Sequence, residues 1–183
     1  MGVRIQKIKT METTANFSKS GTNKLLCMIL SDALKGQRAH VSAERAFEGL
    51  TWRQAGVSVP GSPHTIWQLL KHLNYWQDRF ISRIEGMKVL PAKTSDDGWK
   101  FDAAPEDEAT YKRELGKLLT GINYMTETML PEADNLYDSK GDYKNGFSVI
   151  QSMASHISYH LGEVVMLRRM AGLWPPPSGG YSW

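Results

Sequence analysis

Several features that would classify a chain at once are missing from this one. It has a single cysteine, Cys27, so it forms no internal disulfide. That excludes the stapled scaffolds of small secreted domains and fits a reducing cytoplasm. Cys27 lies in the apolar run "LLCMIL" and reads as a core residue, the alternative being a reactive thiol. Runs of this length fall far short of the roughly 18 apolar residues that mark a bilayer span, so no membrane partner is expected. Charge of one sign is scarce too: 22 basic and 19 acidic residues are interspersed along the chain, for a net charge of +3. With no long like-charge run and no zinc-finger or RNP motif, no nucleic-acid partner is expected. The opening "MGVRIQKIKTMETTANFSKSGT" has basic residues but no apolar core or small-residue cleavage site, and Gln6 breaks the myristoylation pattern. Neither a secretory signal nor a lipid anchor is expected, and the cytoplasm is the expected location. Sustained strand alternation and internal repeats are also absent, which excludes a sheet protein and a solenoid.

What is present is helical periodicity. The chain's 183 residues, 41% of them hydrophobic, suffice for one sizeable core. Four long segments carry a 3.6-residue repeat, and the fold class they predict is all-α, a four-helix bundle with long inter-helix connections. The first helix is expected from about Asn23 to Lys35, with Leu25, Leu26, Ile29, Leu30 and Ala33 as its apolar stripe and Gly36 as its stop. A long connection follows, with a short helix in "SAERAFEGL" and the breaker cluster "VPGSP". The second helix is expected from Pro63 or His64 to Gly86, with Ile66, Leu69, Leu70, Leu73, Trp76, Phe80, Ile81 and Ile84 on one face. The third follows "AAPEDE" and turns Tyr111, Leu115, Leu118, Leu119, Ile122, Met125 and Met129 inward. The fourth runs from about Phe147 to Ala171 and stops at Gly172; Arg168 and Arg169 read as its solvated side and last turn. The connections at 87–104 and 130–145 are long for a minimal bundle.

The chemistry sits in the histidines. In "SHISYHLGEV", His156 and His160 are four residues apart, a rotation of about 400° that puts both rings on one helix face. Val149, Met153, Val164 and Leu167 surround them on the wheel, so both rings point inward. Two imidazoles buried without partners suffer two desolvation penalties, whereas one divalent cation satisfies a nitrogen on each. Two core histidines held by hydrogen bonds remain the alternative. His72, in "LLKHLNYW", flanks the second helix's apolar sector and is the candidate third ligand. Such a tripod leaves one coordination side open, as catalytic rather than structural sites do. The zincin pattern fails at Ile157, and no E-x-x-H pair of the di-iron kind occurs. Glu163 leans inward near His156 and is a candidate base, a ligand orienter, or a solvated edge carboxylate. His64 reads as a solvated or capping residue, His40 as a local structural residue or a wall of the site, and Tyr159 as packing.

"GSPHTIWQLLKHLNYWQ" followed by "ASHISYHLGEVVMLRRMAGLWPPPSGGYSW" resembles the DinB-like (YfiT-like) superfamily of four-helix metalloproteins. The likeness covers residues 22–183 and leaves 1–21 as a flexible N-terminal extension. It implies that His72, His156 and His160 occupy the family's three metal-ligand positions; three imidazoles suit one divalent metal, Zn, Ni, Fe or Cu, with Zn or Ni preferred. It also implies, as one activity known in that superfamily, an S-transferase reaction joining a low-molecular-weight thiol to a small electrophile; in that reading Glu163, from its place on the wheel, is the candidate catalytic residue, as general base or ligand orienter. A homodimer is a further expectation from the likeness. The alternative is a non-catalytic, stress-linked metal-binding or interaction protein.

Overall fold

The computed structural model describes residues 19–37, 39–131 and 146–179, so most of the extension at 1–21 and of the connection at 130–145 lies outside the described residues. Among the described residues are six α-helices: α1 (Lys19–Lys35), α2 (Ala43–Phe47), α3 (Trp52–Ala55), α4 (Ile66–Ile84), α5 (Glu108–Tyr124) and α6 (Gly146–Met170). A 3-10 turn at Ser95–Gly98 interrupts the α4–α5 connection, and a π-helical turn at Met125–Met129 extends α5. No strand occurs among the described residues, and none of their helices is long and apolar enough to cross a membrane. The four long helices form the bundle: α4 packs against α5 and α6, and α1 against α6.

Local signals set the boundaries. Thr65 caps α4 by accepting from the Gln68 backbone N–H, while the Gln68 side chain accepts from the Thr65 N–H at 3.0 Å. This reciprocal capping box starts the helix after, not at, Pro63. Asp107 caps α5, accepting from the Thr110 N–H at 2.7 Å. Gly36, at φ +70°, terminates α1 in the left-handed conformation expected of a helix stop. Between α4 and α5 the approach is close because Gly121 has no side chain: a Cβ there would lie 2.0 Å from Gln77 Nε2. Gln77 uses that space to donate to the Lys117 carbonyl at 3.1 Å, and Asn74 donates to the Glu114 carbonyl at 2.9 Å.

The apolar faces expected of α4, α5 and α6 are the faces that are buried. On α1 the expectation needs correction. The helix begins at Lys19, and its contact with the core runs through Leu30 and Leu34, with Leu26, Cys27 and Ala33 packed alongside. Leu25 and Ile29 stand one residue before Leu26 and Leu30, hence about 100° round the helix, and are 44% and 50% exposed. Cys27 is half-buried and its thiol donates to the Leu130 carbonyl at 3.1 Å.

Arg168 is the second correction. Arg169 is exposed as expected, but Arg168 is buried and donates from Nη1 to the Ala46 carbonyl (2.6 Å), from Nη2 to the Glu48 carbonyl (2.9 Å) and from Nε to the Leu173 carbonyl (3.1 Å). One guanidinium fork thus ties the end of α6 to the end of α2 and to the C-terminal turn. Arg168→Met keeps the stem's packing and strands three carbonyls, so it should destabilise the fold by about 3 kcal/mol. Arg169→Met should change stability by less than about 0.5 kcal/mol. Denaturant unfolding of the two variants beside the parent checks the contrast.

Candidate metal centre

The α4–α6 packing brings His72 against His156 and His160. Ring centroids stand 4.5 Å apart for His156 and His160, 4.6 Å for His72 and His160, and 5.1 Å for His72 and His156. One ligating atom from each ring lies within 4.8 Å of the others, and Nε2 of His72 is 3.1 Å from Nε2 of His156. Nitrogens around a tetrahedral Zn ion, each at about 2.0–2.1 Å, would stand about 3.4 Å apart.

A segment that carries no periodicity holds His72 in place. The chain after the 3-10 turn runs along one face of α4 and offers it three carbonyls. Gly98 accepts from His72 Nδ1 at 2.8 Å, Phe101 from Gln68 Nε2 at 3.1 Å, and Ala103 from Thr65 Oγ1 at 2.6 Å. Residues 65, 68 and 72 fall on one helix face by their spacing of three and four. This rail also places Trp99, whose ring stacks on His72 at 3.6 Å and on His64 at 3.8 Å, sandwiched between them. Gly98 permits the approach, since a Cβ there would sit 3.0 Å from His72 Nδ1. Gly98 and Trp99 are site residues that the sequence reading missed. Their only signal is a glycine–tryptophan pair inside a long polar loop.

The hydrogen bonds fix two tautomers. A carbonyl can only accept, so His72 carries its proton on Nδ1 and turns the Nε2 lone pair toward the cluster. His160 Nδ1 is 2.6 Å from Glu163 Oε2, which orients the ring in the same way. His156 differs: its Nδ1 is buried and has no hydrogen-bond partner. Burial also depresses basicity. Desolvation, opposed by the Gly98 bond and assisted by the neighbouring imidazoles, lowers the His72 pKa to about 4. Desolvation, then the charges of His160 and His72, lowers His156 to about 3. His160 is lowered as well, again chiefly by burial and against the pull of Glu163. Three neutral imidazoles, two with lone pairs aimed inward and one with an unsatisfied buried nitrogen, make a donor set that fits a divalent cation.

The remaining candidates fall elsewhere. Glu163 contacts His160, three residues earlier, rather than His156 beside which the wheel placed it. His64 is half-buried, stacks on Trp99 and is not a member of the triad. His40 has a local role: Nδ1 is 2.8 Å from the Val41 carbonyl and Nε2 is 2.9 Å from the Ala33 carbonyl, bracing the end of α1. Tyr159 is 65% exposed, with its ring edge-on to His160 at 4.9 Å.

With this geometry in place, comparison with known proteins gives one finding. A family model described as the DinB superfamily matches residues 36–164, a span that holds all three histidines and Glu163. No curated protein and no solved structure matches the chain.

The depressed histidine pKa values have a consequence for the metal-free chain. A group whose folded pKa lies below its unfolded value of about 6.5 contributes stability that is complete above that pH and is lost as pH falls toward the folded pKa. Melting temperature should therefore drop as pH is lowered from about 7 to about 4, the window set by His72 and continued by His156. A His72→Gln, His156→Gln double variant should show a flatter profile over the same range, measured by calorimetry in chelator.

Proposed function

Since the chain belongs to the DinB superfamily, we propose that His72, His156 and His160 hold one divalent metal ion, Zn or Ni, and that the centre joins a low-molecular-weight thiol to a small electrophile. The metal reading is carried by one observation: imidazoles from two helices present nitrogens to a common point while a buried nitrogen of His156 has nothing to bond. A cation bound there would leave a coordination position open to a thiol, which is deprotonated at neutral pH when coordinated.

The chain's residues supply the rest. Gly98 and Glu163 hold His72 and His160 in the tautomer that turns lone pairs inward, and the low basicity of all three rings keeps protons from competing. Of the roles open to Glu163, orienting His160 is the one its 2.6 Å contact supports. Trp76 at 6.2 Å and Phe80 at 6.4 Å from His156, with Trp99 at 5.6 Å from His160, wall the cluster with aromatic rings and exclude water. His156 is the most exposed of the three imidazoles, so a ligand reaches the cluster from its side. In the transfer the thiol proton goes to solvent, a sulfur–carbon bond forms, and the leaving group departs with the electron pair of the bond it breaks.

A second reading has its own support. The three ligands come from α4 and α6, whose packing is the most extensive in the bundle, so a cation would also cross-link two helices. In that reading the protein is a metal-stabilised, non-catalytic partner in a stress response.

Elemental analysis should find about one Zn or Ni per chain. His72→Ala, His156→Ala and His160→Ala should each lose it, and His64→Ala should keep it. Full occupancy in His156→Ala contradicts the tripod. Chelation should lower stability by about 2.7 kcal/mol relative to metal held at 100 times its dissociation constant. A conjugation assay across several low-molecular-weight thiols and electrophiles should give product only with the metal-loaded protein. Metal binding and stabilisation without product would favour the cross-link reading.

A further inference from the structure

Beside the histidine cluster lies a cavity of about 210 Å³ that the metal chemistry does not use. It opens between the start of α4 and the end of α6, lined by Leu69 and Leu167, Met166 and Met170, His64 and Glu163. Leu69 and Leu167 are buried within it, whereas Met166 and Met170 are 56% and 54% exposed. Exposed, unbranched, polarisable side chains are the ones that fold over an apolar guest of imprecise shape. A cavity of about 150 Å³ holds a benzene molecule, so this one has room for about ten heavy atoms.

Its polarity is one-sided. No lysine or arginine lines it, and Glu163 is its single carboxylate. Glu163 Oε2 is engaged with His160 Nδ1, but Oε1 has no partner among the described residues. The end of α6 adds the negative pole of its dipole at Met170. An apolar chamber holding one half-used carboxylate selects a guest with a compact apolar body and a hydrogen-bond donor, ideally a cation, at one end.

From this juxtaposition we propose that the cavity is a binding subsite for a small organic amine, which seats its apolar part between Met166 and Met170 and its ammonium on Glu163. The guest reaches the histidine cluster through Glu163, because the carboxylate it binds is the one that orients His160. The subsite is complete in the protein alone and does not rest on metal binding.

The test uses the full-length protein labelled with ¹³C at its methionine methyls, its metal content recorded separately so that failure of the metal reading stays distinguishable. Benzylamine is the probe, with benzoate and methylamine as comparisons. Benzylamine should shift the Met166 and Met170 methyl signals saturably. It should bind at least about tenfold more tightly than benzoate, which places a carboxylate against Glu163, and than methylamine, which lacks the apolar body. Glu163→Gln should erase the preference of benzylamine over benzoate. Met166→Ser, at an exposed position and so safe for folding, should weaken benzylamine at least about threefold. No saturable shift at those two methyls, equal binding of benzoate, or an unchanged preference in Glu163→Gln would each overturn the proposal.

Discussion

A ring nitrogen buried in an apolar interior needs a partner, and the arrangement of this protein around α4 and α6 follows from how that need is met. Gly98 satisfies one nitrogen of His72 and Glu163 one of His160, leaving a lone pair on each to face inward. His156 is left with a buried nitrogen that no protein group reaches. The apolar core residues Leu70, Leu73, Ile157 and Leu161 offer it no polar partner. A cation shared by three neutral imidazoles is one way to meet that need.

Much of this was legible in the sequence. A four-residue histidine spacing fixes a shared face, and the 3.6-residue pattern around it fixes which way that face points. The bundle itself follows from four amphipathic segments with recognisable stops such as Gly36, whereas the start of α4 was placed at Pro63 or His64 and the Thr65–Gln68 capping box was missed. Where the reading fell short, the cause was tertiary. Periodicity gave α1 a stripe wider than the arc the bundle could cover, so Leu25 and Ile29 stay exposed. Arg168 looks like its neighbour Arg169 in sequence; only the positions of Ala46, Glu48 and Leu173 make it a buried clasp. The rail of carbonyls at Gly98, Phe101 and Ala103 has no period to detect, because its order comes from the regular face of α4 against which it lies.

That rail has a functional meaning. It lets a loop do three things at once: set the tautomer of His72, cover its ring with Trp99, and bring His64 to the other side of the same indole. Glu163 plays the matching part on α6, with one oxygen on His160 while the residue also lines the neighbouring cavity. The two residues that orient the cluster are therefore also the two links between it and its surroundings. Events at the loop or in the cavity have a short physical route to the inward-facing nitrogens, through one hydrogen bond in each case.

The central claim is that the three imidazoles act as one donor set through inward-facing nitrogens, two of them fixed by the bonds to Gly98 and Glu163. Nitrogen-15 NMR of the histidine side chains during a zinc titration reads this atom by atom. The account predicts that His72 and His160 keep their proton on Nδ1 throughout, and that their Nε2 signals and one ring nitrogen of His156 shift together, completing at one equivalent. Shifts that arise at different equivalents, or metal binding at Nδ1 of His72 with loss of the Gly98 bond, would contradict it.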